Sequence, residues 1–485
     1  MGWRSLVGLL LLAVSTGCGV FGSEASQEDE AQLEEGWQGF VDGLEQARGA
    51  VRDPWRFAPG PGGRELAEGY RYLLGHVARV IESETVQHPD LPYFQRTVRM
   101  LSKWTIDNPD TMYLVAPIDP GGTYRITGRA ADTTEWRTGE RGRAWPKAPR
   151  LVTFQTTTAL IGQTGSLEEF GTCRNQTLGA VRHFEIHPDA EGRFEILVSG
   201  ERPPGYEGLF LPTRARLDCT RRDGETTTTA DRTAVGVTVR ESFSDWDAEL
   251  PLELEIVRED APGRPRPPTS PQAMGEALAA IGSEVANQIR FWNDLHELGL
   301  EVHGDRNLDG RQNVPRNGMN PPQPPFIAGG TAGAGQLYAA GLFDLRPGEA
   351  LLVRVESPLE PHYQGFQLAN FWGESLDQAS YTSSLTAHQL PKAGDGARYY
   401  VVSLEDPGVP GWVDTTGLSR GMISMRFVFR EAPPEDALPQ VTAELTTLAA
   451  LPEKLPADTP TVTRDERRAE VARREAHIRR RWRQY

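Results

Sequence analysis

The chain has 485 residues, 38% of them hydrophobic and 24% charged, with a formal net charge of −16. That length exceeds what one ordinary core holds, so two or three packed units are expected, and the acidity argues against a general nucleic-acid binder. The 50 glycines and 37 prolines favour many turns and therefore β structure.

Met1 to Arg4 supply a short positive end, and Leu6 to Val14 form an apolar run too short to span a bilayer. Val14-Ser15-Thr16-Gly17-Cys18 follows, with small residues before a cysteine. This resembles a bacterial lipoprotein signal over residues 1–17, with Cys18 lipidated as the mature N-terminus. An ordinary signal peptide cut near the same place is the alternative. Gly19 after the cysteine implies the periplasmic side of the outer membrane if the host is Gram-negative. With Cys18 set aside, Cys173 and Cys219 are an even pair suited to a disulfide in an oxidising compartment. Two unpaired buried thiols are the competing reading. Neither cysteine has a ligand-spaced partner, so no metal or cofactor is expected.

Residues 18–35 are acidic and polar, which suits a flexible tether. A helical N-terminal region is expected over 36–107. It holds a short helix from Trp37 to Val51 and a clearer one in which Leu66, Tyr70, Leu73, Leu74, Val77, Val80 and Ile81 form one apolar face. From 108 to 260, short β-like runs alternate with Asp-Pro-Gly-Gly and Pro-Pro-Gly turns, the pattern of a β-sandwich. A stiff linker and a long helix fill 261–300, with Ser270 as N-cap and Pro271 at the first helical position. A Gly/Pro-rich loop over 301–335 reads as a lid or a coat. A second β-sandwich block spans 336–432, and 433–485 hold a linker and an Arg-rich helix. The fold class expected is α+β, mainly β, with two jelly-roll-like sandwiches and helical additions. Two runs of helix followed by strands hint at an internal duplication.

Several segments together resemble one bacterial group, the domain-of-unknown-function family twelve-fourteen. They are Ala67 to Leu74, Asn108-Pro109-Asp110 through Asp119, Pro204 to Gly208, Glu241 to Asp247, Gly365 to Asp377, Glu405 to Asp414 and the Arg-rich tail. The resemblance covers most of 60–485 and implies jelly-roll-type β structure with helical additions. It brings no established reaction and no catalytic residues.

Aromatic faces, amides and carboxylates gathered in turns are the chemistry of sugar recognition, because rings stack on apolar sugar faces while amides satisfy hydroxyls. On that ground the ligand-binding candidates are Asp110, Tyr113, Trp246, Asp247, Asn370, Trp372, Glu374, Asp377, Trp412 and Asp414. Each has a plainer reading. Asn108-Pro109-Asp110 stops a helix, Ser244-Asp245-Trp246-Asp247 makes a turn, and Gln367 and Asn370 tie neighbouring turns as buried amides. Trp412 folds back as a plug, and the Arg-rich tail, with glutamates at helical spacing, is a solvated, self-paired helix. Asp305-Arg306-Asn307-Leu308-Asp309-Gly310 begins like a calcium loop, but Arg316 stands where the bidentate Glu belongs. No zinc-protease, nucleophile-elbow or phosphate-loop motif occurs. The expected function is an exported, lipid-anchored protein of the cell envelope that binds a glycan or small polar ligand. A hydrolase or lyase using paired carboxylates such as Glu374, Asp377 or Asp414, and a purely structural envelope protein, are the alternatives.

Overall fold

The computed structural model describes residues 25–52, 60–172, 174–220, 227–303, 314–324 and 335–482. The expected signal, Cys18, Cys173 and the Asp305–Gly310 loop lie outside the described residues.

The chain opens with helices α1 (Gln27–Arg52) and α2 (Gly63–Thr85). The first β block begins with β1 (Gln95–Arg96), β2 (Thr111–Pro117), β3 (Tyr124–Arg129) and a short helix, α3 (Thr134–Thr138). It continues through β4 (Leu151–Thr157), β5 (Thr177–Arg182), β6 (Arg193–Ser199) and β7 (Leu209–Pro212). A hairpin of β8 (Arg214–Thr220) and β9 (Thr227–Thr233) precedes β10 (Gly236–Ser242) and β11 (Glu253–Arg258). Helix α4 (Pro271–His303) then leads into β12 (Gln336–Asp344), β13 (Glu349–Glu356), β14 (Tyr363–Ala369) and β15 (Ser384–Thr386). The second block ends with β16 (Arg398–Ser403), β17 (Trp412–Asp414), β18 (Arg420–Val428) and β19 (Gln440–Thr447). Helices α5 (Leu451–Lys454) and α6 (Arg464–Trp482) follow.

The fold is α+β and mainly β, as the turn-rich composition implied. In the first block, sheet β1-β2-β10-β4-β5 packs on sheet β11-β3-β6-β7 around Met112, Tyr124, Phe154, Ile196 and Val239. In the second, β12-β18-β14-β15 packs on β17-β16-β13-β19 around Leu351, Phe366, Tyr400 and Met425. The expected boundary at 432 falls short, because β19 completes the second sheet.

The two sandwiches share one topology. Pairing β2, β3, β4, β5, β6, β7, β10 and β11 with β12 to β19 in order makes every strand neighbour in one block a neighbour in the other. The correspondence includes the parallel pairs β6–β7 and β16–β17. It extends to the connectors: Ser199 Oγ donates to Glu201 O at 2.8 Å, and Ser403 Oγ donates to Glu405 O at 2.7 Å. Both connectors then turn at a glycine with positive φ, Gly205 at 76° and Gly408 at 69°. The duplication hinted at by the helix-then-strands order is therefore present as topology. Segment 314–324 runs beside the edge strand β12, with Asn320 N donating to Ala340 O and Gln323 and Tyr338 exchanging main-chain bonds. This part of the Gly/Pro-rich loop is a coat over a sheet edge.

Two helical expectations need correction. The acidic stretch expected as a tether is helical from Gln27, and Glu28, Asp29 and Glu30 fill the first turn of α1, where negative charge suits the helix dipole. The inward side of α1 is small rather than apolar: Gly36, Gly43, Ala47 and Val51 are buried. On α2, the side chains turned inward include Tyr72, Leu73, His76, Arg79 and Val80, whereas Tyr70, Leu74 and Ile81 are exposed. The period identified the helix but not which face is covered. Ser270 caps α4 as expected, accepting from Ala273 N at 3.1 Å.

One carboxylate intrudes on the first core. Glu241 is fully buried on β10 and accepts one main-chain bond, from Leu252 N at 2.9 Å. Burial pushes its carboxyl from 4.5 up to about 8. The folded protein thus keeps a proton that the unfolded chain releases near 4.5, so stability falls as pH rises through that window. The expected slope is at most about 1.4 kcal/mol per pH unit. Urea titrations between pH 5 and 8 should show Glu241→Gln flattening the decline, and an unchanged slope would contradict the assignment.

Candidate functional site

Five of the ten ligand-binding candidates lie in or beside a buried polar seam where residues 103–113 meet the turn after β14. Thr105 forms an antiparallel bridge with Glu374, and Ile106 N donates to Gly373 O at 2.8 Å. Buried Lys103 Nζ donates to Ser375 O at 2.5 Å, Leu376 O at 2.7 Å and Gln378 Oε1 at 3.0 Å. Asp107 accepts from Ser375 N and Oγ, both at 2.7 Å. Gln367 donates to Asp107 O at 2.6 Å and accepts from Arg426, as its plainer reading required.

Asn370 lies just past the strand rather than on it. Its Oδ1 accepts from Trp372 N at 3.0 Å and Glu374 N at 3.1 Å, while Nδ2 donates to Glu374 Oε2 at 2.9 Å. Trp372 is buried in the helical core beside Tyr72 and Ile281, its indole N–H donating to Glu65 O at 2.7 Å. Glu374 is buried and meets Arg71 at 3.0 Å. Asp110 is buried and accepts from Tyr363 OH at 2.6 Å, and Tyr113 OH accepts from Asn108 N at 3.1 Å. These groups join the two sandwiches and the helices.

Burial raises the Asp107 carboxyl even against Lys103, and lowers the Lys103 ammonium even against Asp107. Each charge therefore leans on the other. Lys103→Met should cost about 3 kcal/mol in urea unfolding by orphaning the Ser375 and Leu376 carbonyls and leaving Asp107 with Arg426 alone as a nearby cation. Adding Asp107→Asn should recover part of that loss, and a neutral single variant would sink the pairing.

The remaining candidates stand elsewhere. Asp377 accepts from Ala379 N at 2.9 Å and Ser380 N at 3.0 Å, and Asp414 from Thr416 N at 2.7 Å, so both carboxylates cap their own turns. Trp412 is buried rather than presented to solvent, with the Arg467 guanidinium 5.1 Å from its ring centroid. Phe210, at the matching register of the first block, lies 4.8 Å from Arg202 in the same way. The ring position is therefore repeated between the blocks, although Arg202 comes from its own connector and Arg467 from α6.

Trp246 is only 3% exposed and lies under α6. His477 stacks on it at 4.9 Å, and the Arg474 and Arg481 guanidiniums lie 4.5 and 4.7 Å from its ring. The tail reading is half right. Arg468 and Arg479 pair with Asp465 and Glu475 on the outer face, whereas Arg474, His477 and Arg481 are buried. Spacing of i, i+3 and i+7 puts these three on one face, which docks on the body.

Asp247 is exposed, and the residues around it form the one open constellation we single out. Trp145 is 76% exposed, and its indole N–H donates to Asp247 O at 3.3 Å. The supporting loop is held from within. Asp245 Oδ1 accepts from Asp247 N and Ala248 N, and Glu249 accepts from Ser244 N, Asp245 N and Arg150 N. Lys147 bridges Glu135 at 2.9 Å and Asp245 at 3.0 Å. His388, from the segment after β15, places Nε2 3.4 Å from Asp245 Oδ2. Thr386 Oγ1 donates to Ser244 O at 2.7 Å and clamps the two blocks together there.

Burial works against it, but the Lys147 hydrogen bond holds the Asp245 carboxyl below its ordinary value. Burial, aided by Arg141 and Lys147, outweighs Asp245 and holds His388 below the ordinary imidazole value. The patch thus presents the Trp145 face, the Asp247 side chain and the His388 imidazole, over a buried Lys147–Asp245 pair. Of these only Asp247 was expected. Trp145 is a lone aromatic between Ala144 and Pro146, with no local pattern to mark it. Among the described residues, no group of three or more His, Cys, Asp or Glu side chains could hold a metal ion.

The architecture defines an α+β protein of two β-sandwiches sharing one topology. No family model matches the chain, and no curated protein matches it by sequence. The resemblance to family twelve-fourteen rests on its motifs alone. Among solved structures, the chain is similar to an uncharacterised protein from Burkholderia cenocepacia, at 22% identity and a TM-score of 0.67, over 87% of this chain and 99% of that one. That likeness shows a common fold. The VPA0106 protein from Vibrio parahaemolyticus aligns over 83% of this chain and 100% of its own, at 11% identity and a TM-score of 0.36, and carries no argument.

Proposed function

We propose that this chain is an exported, lipid-anchored envelope protein that binds a glycan on the surface built around Trp145. One observation carries the reading: a 76% exposed indole held by the main chain of Asp247. An indole face this open can be covered by a partner, and a sugar ring suits it in size and polarity. The Asp247 carboxylate and the part-exposed His388 imidazole supply acceptors and a donor for hydroxyls. The support is rigid, so little ordering opposes binding. In the acid–base alternative, Glu374, Asp377 and Asp414 would do the chemistry, but all three are engaged in turns or the seam. Glycan-array binding with peptidoglycan fragments and envelope polysaccharides tests the reading, and silence on every envelope glycan would remove it.

The anchor rests on the lipoprotein-like sequence at Cys18. Among the described residues no helix is long and apolar enough to cross a membrane. Mass spectrometry of the membrane fraction should find acylated Cys18, and an unmodified soluble form would defeat the anchor. Cys219 is buried at the end of β8, in keeping with the proposed pairing to Cys173. A non-reducing peptide map should join the two segments.

A further inference from the structure

Beneath α6, well inside the protein, more polar groups are buried than the protein's own hydrogen bonds satisfy. Arg481 is the hub. Its Nη1 donates to Pro109 O at 2.6 Å and its Nε to His477 Nε2 at 2.8 Å, leaving Nη2 without a partner among the described residues. Three other atoms share that condition: Asp110 Oδ1, Glu241 Oε1 and Trp246 Nε1. All four side chains are at most 3% exposed. Each is linked to the same guanidinium. Pro109 adjoins Asp110, the Trp246 ring lies 4.7 Å from Arg481, and Glu241 and Asp110 both interact electrostatically with it.

We propose that these groups enclose an internal site for a small oxyanion, either a carboxylate or a phosphate. Buried polar atoms in native proteins nearly always have partners, so a cluster of four around one arginine calls for a shared one. The charge balance selects an anion. Arg96, Arg474 and Arg481 are all buried here, and Arg96 Nη1 donates to Arg481 O at 3.2 Å. The acids facing them are weakened: burial raises both Asp110 and Glu241, and burial also pulls Arg481 down to about 9. An entering oxyanion would accept from Arg481 Nη2 and Trp246 Nε1, both fixed donors. A protonated Glu241 would donate its O–H to a third oxygen. The groups that would bind here are not those of the Trp145 surface, although Trp246 adjoins Asp247, and anion dialysis and glycan titration read the two sites independently.

The test is equilibrium dialysis of the full chain against labelled inorganic phosphate and, separately, labelled acetate, with sodium chloride holding ionic strength constant. Saturable binding of one or both is expected, and the arm that binds identifies the class. Trp246→Phe removes the indole N–H and leaves a smaller aromatic ring under α6, and should weaken binding about tenfold in protein whose melt confirms that it is folded. Arg481→Gln should abolish it. Because that variant risks misfolding, Trp246→Phe is the deciding one. No saturable binding of either anion by the unaltered protein would overturn the proposal, leaving enclosed water as the partner. Binding unchanged in Trp246→Phe would overturn it equally.

Discussion

Replacing Gly43 with alanine is expected to destabilise the protein by about 3 kcal/mol, although only one methyl group is added. Helices α1 and α4 run parallel with their backbones in contact. A Cβ at Gly36 would lie 2.3 Å from Gly275 O, and one at Gly43 would lie 2.2 Å from the Gly282 carbonyl and 2.5 Å from its Cα. The obstructing atoms are main chain, so no rotamer change relieves the overlap. Because α1 fully buries only Gly36, Gly43, Ala47 and Val51, with Phe40 and Leu44 partly buried beside them, its attachment depends heavily on close approach. A methyl wedge should release much of it. Gly49, on the same helix, has nothing within 4 Å of its Cβ position. There alanine should stabilise by about 0.5–1 kcal/mol through helix propensity. Opposite shifts in urea midpoint would establish the contact, whereas a neutral Gly43→Ala would show that the helices do not meet this way.

The second large contrast separates two tryptophans. Trp246→Ala should cost about 3–5 kcal/mol, because it empties a site lined by His477, Arg474 and Arg481 and loosens α6. Trp145→Ala should change stability by less than about 0.5 kcal/mol, since its ring is mostly in water. It should nevertheless remove glycan binding. Thermal melts of both variants check the first half of the contrast. Equal destabilisation would mean that Trp145 is structural.

Much of the architecture was legible because turn chemistry and helical spacing are local. The Pro-Gly connectors, the Ser270 cap and the period of α2 needed no tertiary knowledge. The failures have a common cause, which is that burial is decided by the partner. The start of α1, residues 27–35, reads as tether because it is acidic and nearly devoid of apolar residues, and the stripe that docks the helix begins only at Gly36. Tyr70, Leu74 and Ile81 belong to the apolar face of α2 yet are exposed, while His76 and Arg79, outside that period, are buried. The inner face of α6 is arginine and histidine, covered by aromatic rings and carbonyls that sequence spacing does not reveal. The shared topology survives in strand order and in the two Ser-x-Glu connectors, not in a repeated sequence.

The candidate site was legible only in part for the same reason. Tryptophans beside carboxylates drew notice, yet Trp246 and Trp412 are buried, and Asn370, Trp372 and Glu374 serve the seam. Trp145 meets Asp247 from 102 positions away. His388 joins them only because the second block docks on the first. The local Asp247 signal was sound, but its aromatic partner came from another loop.

The measurement that bears most directly on the central claim is a glycan-binding titration of the unaltered chain beside Trp145→Ala, with melting temperatures taken on the same samples. The expected result is saturable binding to an envelope glycan that falls at least about tenfold in the variant, corresponding to roughly 1.4 kcal/mol, at an unchanged melting temperature. Equal binding by the two proteins would show that the Trp145 surface is not the recognition site.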